Sequence, residues 1–217
     1  MKVGIDSVML GSWIDFKSPN YILDVGTGTG LLSLMMAQRY RNAKITALEI
    51  DSPSFREAKL NFKNSAWSSR INAIECDAKV WDSLHKFDLI ICNPPFFSNS
   101  FLSKQKSKNR ARHQVEFNLN DLVRVWLRHG TINSNMCCIL PLMQAKEIIN
   151  IINSINRNLI KFTLIKSKQN KKPNRIMLQF SIKKENLLFK DTLCIYSSIN
   201  KHSKEFINLT KEFYLNH

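Results

Sequence analysis

Several absences limit what this sequence of 217 residues can be. No apolar run approaches the roughly 18 residues that a membrane-crossing helix needs, and the opening Met1-Lys2-Val3-Gly4 carries no signal-peptide pattern. A cytoplasmic protein that does not enter a membrane is the expectation. Cysteine is scarce and unpatterned: Cys76, Cys92, Cys137, Cys138 and Cys194 include no C-x-x-C pair and no histidine at ligand spacing. That argues against a zinc site or a redox pair, so reduced thiols inside apolar runs, and no metal, are expected. No internal repeat, linker or composition break is visible, which favours one domain over residues 1–217. Acidic residues are missing from two long stretches, between Asp88 and Glu116 and between Glu147 and Glu185.

The charge is lopsided as a result. Residues 1–100 hold 11 Lys and Arg against 10 Asp and Glu, whereas residues 101–217 hold 21 against 7. The second part therefore supplies 14 of the net charge of +15. A coding bias towards Lys, Asn and Ile would raise the charge evenly, so the asymmetry favours a face for a polyanion over a merely solvated lysine-rich surface. Otherwise the composition, 44% hydrophobic and 10% aromatic, suits an ordinary globular core.

The run Asn20-Tyr21-Ile22-Leu23-Asp24-Val25 ends in Gly26-Thr27-Gly28-Thr29-Gly30, and Leu31-Leu32-Ser33-Leu34-Met35-Met36-Ala37 then reads as a buried helix. Strand, glycine loop and helix form a nucleotide-cradling unit, because the glycines admit close approach and the helix start offers unpaired N–H groups. The dinucleotide fingerprint wants a third glycine at the sixth place, where this chain has Leu31; G-x-G-x-G instead resembles the loop of S-adenosylmethionine-dependent methyltransferases. A second strand ends at Glu49, about 20 residues past the loop, where a carboxylate can accept the hydroxyls of a ribose; Asp51 is the alternative. Ser52-Pro53 should cap a helix with Phe55, Ala58 and Phe62 inward. Further strands are expected over 71–76 and 87–92, the latter delivering Asn93-Pro94-Pro95-Phe96. Each proline fixes φ and lacks an N–H, so that loop is stiff and rich in acceptors, with a side-chain carbonyl at Asn93 and a stacking face at Phe96. Such a set suits an aromatic amine.

Strands over 136–140, 159–165 and 175–182, with the last two paired as a terminal hairpin, complete a seven-stranded, mostly parallel α/β sheet of Rossmann-like class I methyltransferase type, with helices on both faces. A tail strand around Leu193 and Ile195 and a helix carrying Phe206, Leu209 and Phe213 would follow. Ligands of such sheets bind beyond the carboxyl ends of the strands, where Gly26, Gly28, Gly30, Glu49, Asp77 and Asn93 all fall.

Three segments, Met1-Lys2-Val3-Gly4-Ile5-Asp6, Leu23-Asp24-Val25-Gly26-Thr27-Gly28-Thr29-Gly30 and Ile91-Cys92-Asn93-Pro94-Pro95-Phe96, together resemble bacterial tRNA1(Val) (adenine-37-N6)-methyltransferases. The likeness runs through Ala111-Arg112-His113 to Phe213-Tyr214-Leu215, with Ile5 where the family usually has Thr and with the family's usual short segment before Met1 missing. The resemblance implies a methyl donor, S-adenosylmethionine, held by Asp6, Asp24, the three glycines, Glu49, Asp77 and Ala78. It implies methyl transfer at Asn93, Pro94, Pro95 and Phe96, and a tRNA partner for a monomeric enzyme. Lys104, Lys106, Lys108, Arg110 and Arg112 would contact loop phosphates, and Lys171, Lys172 and Arg175 the stem; His113 has stacking or capping open to it and no catalytic role. The alternatives are glutamine methylation of protein, DNA adenine methylation, and an RNA-binding scaffold without catalysis. The first two enzymes normally carry an added domain that finds no room here, and the intact Asn93, Glu49 and Asp77 argue against the third.

Overall fold

Strands buried on both faces need apolar side chains at consecutive positions, and the central runs of this chain have them. This computed structural model describes residues 4–94, 117–184, 188–199 and 201–214. It opens with α1 (Ile5–Trp13), β1 (Tyr21–Val25), α2 (Leu31–Arg39), β2 (Lys44–Glu49), α3 (Ser52–Lys63), β3 (Ile71–Glu75) and β4 (Phe87–Cys92). Then come α4 (Leu119–His129), β5 (Gly130–Pro141), α5 (Leu142–Ser154), β6 (Asn158–Lys168) and β7 (Arg175–Ser181). The last elements are β8 (Phe189–Ser198), β9 (Lys201–His202) and α6 (Lys204–Thr210).

These strands form one sheet in the order β3-β2-β1-β4-β5-β7-β6-β8-β9. β1 to β5 are parallel, and β7 runs antiparallel to both β5 and β6, which makes β6 and β7 the expected hairpin. The sheet has nine strands rather than seven: β8 adds itself parallel to β6, and the two-residue β9 turns back on β8. The tail strand was legible at Leu193 and Ile195, but its membership of the main sheet was not, because a pairing partner leaves no local pattern.

Consecutive strand residues enter opposite cores. Ile22, Leu89, Ile91 and Cys137 pack with α1, α2, α3 and α6, whereas Leu23, Ile90, Cys92 and Cys138 pack with α4 and α5. Helix α1, an element that the sequence pattern did not reveal, lies on the first face. Its Trp13 ring donates to Thr163 Oγ1 at 2.8 Å and carries Lys161 Nζ 4.3 Å above it. Two arginines close the helices that meet here. Arg39 Nη1 donates to the carbonyls of Gly11, Ser12 and Ile14 at the end of α1, and Arg70 to those of Ala37, Tyr40 and Ala43 at the end of α2. Helix α3 starts one residue before the expected cap: Asp51, not Ser52, accepts from the Ser54 amide at 3.1 Å.

The cysteines are all free, with Cys92, Cys137 and Cys138 buried. Burial pushes the Cys137 thiol up to about 12, which makes it a packing residue rather than a nucleophile. No helix among the described residues is long and apolar enough to cross a membrane.

Candidate active site

Strand register brings the separate sequence signals to one row. Val25 pairs with Leu48, Asp24 with Ile91, and Glu49 with Glu75, so the next residues of three neighbouring strands, Gly26, Glu49 and Asn93, emerge level at the carboxyl edge. Asp77 follows two residues after Glu75, one strand further out. The glycine loop crosses this edge with positive φ at Gly26 (72°), Gly28 (60°) and Gly30 (86°), values that an L side chain rarely adopts. Gly26 and Thr27 both donate to the Leu48 carbonyl at 2.9 Å, which pins the loop to β2. A cavity of about 180 Å³ opens between this loop and α1, lined by Ser7, Asp24, Gly26, Gly28, Leu31 and Asn93 among others.

Asp24 forms the buried base of that cavity. It accepts from Thr27 Oγ1 at 2.6 Å and Ser33 Oγ at 2.7 Å, yet burial outweighs these bonds and raises its carboxyl to about 6, with the Glu49 charge adding in the same direction. Sequence reading chose Asp24 but missed its two hydroxyl partners. Ser33 had a visible signal, a lone polar residue in an otherwise apolar helix. Glu49 is buried and binds three amides: Oε1 accepts from Ile50 and Asp51 at 2.9 Å, Oε2 from Gly28 at 2.8 Å. A carboxylate has about four lone-pair sites, so one remains on Oε2, although Glu49 is not among the residues lining the cavity. Asp51 spends its carboxylate on capping α3 through the Ser54 amide and hydroxyl. Asp77 opens a turn, its Oδ1 accepting from the Lys79 amide at 2.9 Å and Oδ2 lying 3.5 Å from Lys79 Nζ; Ala78 beside it is buried.

Asn93 is half-buried at the end of β4, and Pro94 is buried. The Asn93 amide nitrogen donates to Ser7 Oγ of α1 at 2.8 Å, a partner 86 residues away that no local pattern could reveal. Asp6, one residue before Ser7, is not among the residues lining the cavity; its Oδ2 lies 3.4 Å from Nε of Arg175. Two residues to which sequence reading gave separate roles thus form one ion pair. Arg175 opens β7 opposite Pro141, and the turn with Lys171 and Lys172 joins β6 to β7 at the same sheet edge as Asn93, both lysines exposed. Pro95, Phe96, Lys104, Lys106, Lys108, Arg110, Arg112 and His113 lie outside the described residues. Among the described residues there is no cluster of His, Cys, Asp or Glu that could hold a metal ion.

Known proteins with this pattern agree with one another. The methyltransferase small domain family matches residues 2–116. The tRNA1(Val) (adenine(37)-N6)-methyltransferase of Aliivibrio fischeri is 36% identical over 216 residues, covering 100% of this chain and 92% of the relative. That of Haemophilus influenzae strain PittEE is 37% identical over 222 residues, covering 99% and 92%. Among solved structures, a protein from Agrobacterium tumefaciens described as a predicted O-methyltransferase has a TM-score of 0.73 at 20% identity, covering 95% of each chain, a likeness of fold. With near-complete coverage at this identity, a glycine loop over a buried Asp24 and Asn93 level with it, this chain belongs to the tRNA1(Val) (adenine(37)-N6)-methyltransferase family.

Proposed function

We propose that this protein transfers a methyl group from S-adenosylmethionine to the exocyclic N6 of adenine 37 in tRNA1(Val). The observation that carries the reading is one cavity lined by Asp24, the glycine loop and Asn93 together.

The residues fit the donor. Ionised Asp24 is an acceptor and counter-charge for an ammonium group, and Gly26 leaves open space beside it, with nothing within 4 Å of a Cβ built there. The remaining lone pair of Glu49 can accept a ribose hydroxyl, and Asp77 with Ala78 offers the edge for an adenine. When bound, the donor supplies an electrophilic sulfonium methyl.

The chain must then present a weak nucleophile. The lone pair of an adenine amine is delocalised into the ring, so orientation matters more than deprotonation. Asn93 Oδ1 and the Pro94 carbonyl are acceptors for its two N–H bonds, which lets the nitrogen pyramidalise and aim its lone pair for in-line transfer. Phe96 would stack on the ring, an effect worth roughly 1–3 kcal/mol per base. The product ammonium is acidic enough to lose its proton to water. A base beside the anticodon is single-stranded and can be splayed into such a pocket at modest cost. Lys104, Lys106, Lys108, Arg110 and Arg112 are assigned to loop phosphates. Lys171 and Lys172, on the reaction edge, are assigned to the stem, with Arg175 beside them holding Asp6. Every group named lies on one chain in one domain, so a cytoplasmic monomer is the working unit of this reading.

The test is purified protein, labelled donor and total tRNA from a strain lacking the enzyme, followed by nucleoside mapping. Label in N6-methyladenine at one tRNA position is expected; label elsewhere, or none, refutes the reading. Asn93→Ala should lose at least about a hundredfold in transfer rate while still binding the donor in calorimetry, and full activity of that variant would remove the orienting role.

A further inference from the structure

We infer that the Ser7 hydroxyl is a positioning group that decides which end of the Asn93 amide faces the target amine; this rests on the orienting role of Asn93 given above. A carboxamide has a donor end and an acceptor end of nearly the same shape, and only the oxygen can accept an N–H from adenine. Turned over, Asn93 would set its own N–H groups against those of the amine, and the site would repel the base it must hold. Something has to choose between the two orientations. The Pro94 ring offers no N–H for the purpose.

Ser7 makes the choice once its own proton is held elsewhere, because its oxygen can then only accept. Asn93 Nδ2 donates to Ser7 Oγ at 2.8 Å, which leaves Oδ1 as the accepting end. Both residues line the same cavity. The hydroxyl is held in place through its helix: Asp6 pairs with Arg175 at one end of α1, while Arg39 binds the terminal carbonyls and Trp13 binds Thr163 at the other. A hydroxyl can accept and donate at once. Its own proton points to no fixed partner among the hydrogen bonds described, so it is available to an acceptor in the cavity, such as the carboxylate at the amino-acid end of the donor. A Ser7 proton committed to an anion leaves its oxygen purely an acceptor towards Asn93. Donor loading and the productive amide orientation are thereby coupled through one side chain.

The test compares Ser7→Ala and Ser7→Thr with the wild type in steady-state methylation of tRNA. Loss of the bond to Asn93 should lower kcat about tenfold in Ser7→Ala with KM for tRNA moving by about twofold or less, and loss of the bond to the donor should weaken its Kd by about tenfold. Ser7→Thr, which keeps the hydroxyl, should recover most of the rate. In parallel, the Asn93 side-chain amide resonance, assigned through its disappearance in Asn93→Asp, should shift towards that of a free amide in Ser7→Ala only. Wild-type kcat in Ser7→Ala, equal losses in both variants, or a loss confined to donor affinity would each overturn the inference and leave the methyltransferase reading standing. A wild type that methylates no tRNA adenine would take down both.

Discussion

Asp24 holds its proton to about pH 6 because burial penalises the charged form more than Thr27 and Ser33 stabilise it. A carboxyl raised in the folded state binds its proton more tightly there than in the unfolded chain, so its ionisation withdraws stability as pH rises from about 4 to about 6. Donor binding has the opposite sign, since an ammonium needs the ionised form. Donor affinity should therefore climb with pH up to about 6 and level off above it, falling by up to about tenfold per unit on the acid side. Calorimetry at several pH values checks this, and Asp24→Asn should bind weakly with a flat profile; a flat profile in the wild type would contradict it. At this scale the sequence was readable wherever a residue type and a spacing carried the chemistry. Asp24, Glu49 and Asn93 stand at strand ends in fixed relation to glycines and prolines. Ser7 on Asn93 and Asp6 on Arg175 were not readable, because their partners are 86 and 169 residues away and only the fold brings them together.

The start of α2 and the middle of α1 each contain a glycine against a neighbour, and the neighbours differ in kind. A Cβ on Gly30 would stand 2.3 Å from the Phe62 ring of α3, in a backbone with φ of 86°. The ring is buried and cannot swing away, so Gly30→Ala should cost about 2–5 kcal/mol from crowding and left-handed strain together. A Cβ on Gly11 would meet the thioether end of Met35 at 2.7 Å, which has rotamers to spare. Gly11→Ala should stay within about 1 kcal/mol, helped by the better helix propensity of alanine. Urea titration of both variants tests the contrast, and equal losses would show that the flexibility of the neighbour is irrelevant. Element types were mostly legible from local pattern: β1 and β4 are short apolar runs that end in a glycine loop and in Asn93-Pro94, and α3 carries Phe55, Ala58 and Phe62 at helical spacing. Helix α1 was missed because its buried residues run consecutively from Val8 to Trp13, and a continuous run has no helical period to detect. The cap of α3 was off by one residue because Asp51, Ser52 and Pro53 all suit a helix start.

Across the whole molecule, strand direction sets two basic residues beside the site. The parallel strands β5, β6 and β8 all point their carboxyl ends to the edge where Asn93 emerges, so the turn bearing Lys171 and Lys172 shares that edge with the reacting groups. The charge count carries a sign but no position, and the topology supplies a position for Lys171 and Lys172. Replacing both lysines by glutamate should weaken tRNA binding about tenfold at moderate salt and flatten the dependence of log K on log salt, with donor affinity unchanged. Filter binding across a salt series measures both, and an unaltered slope would free this turn from any part in tRNA binding.

Arg39 ties two distant parts of the chain together. Beyond the carbonyls of α1, its guanidinium reaches Glu212 at 3.1 Å and lies 5.1 Å from the centre of the Phe213 ring, while Gln38 bonds the Glu212 carbonyl. The helix that walls the donor cavity is thus anchored by residues synthesised some 200 positions later. The wall beside Ser7 and Asn93 therefore has one of its supports near the far end of the chain, so a disturbance at Glu212 and Phe213 is passed through Arg39 to the end of α1.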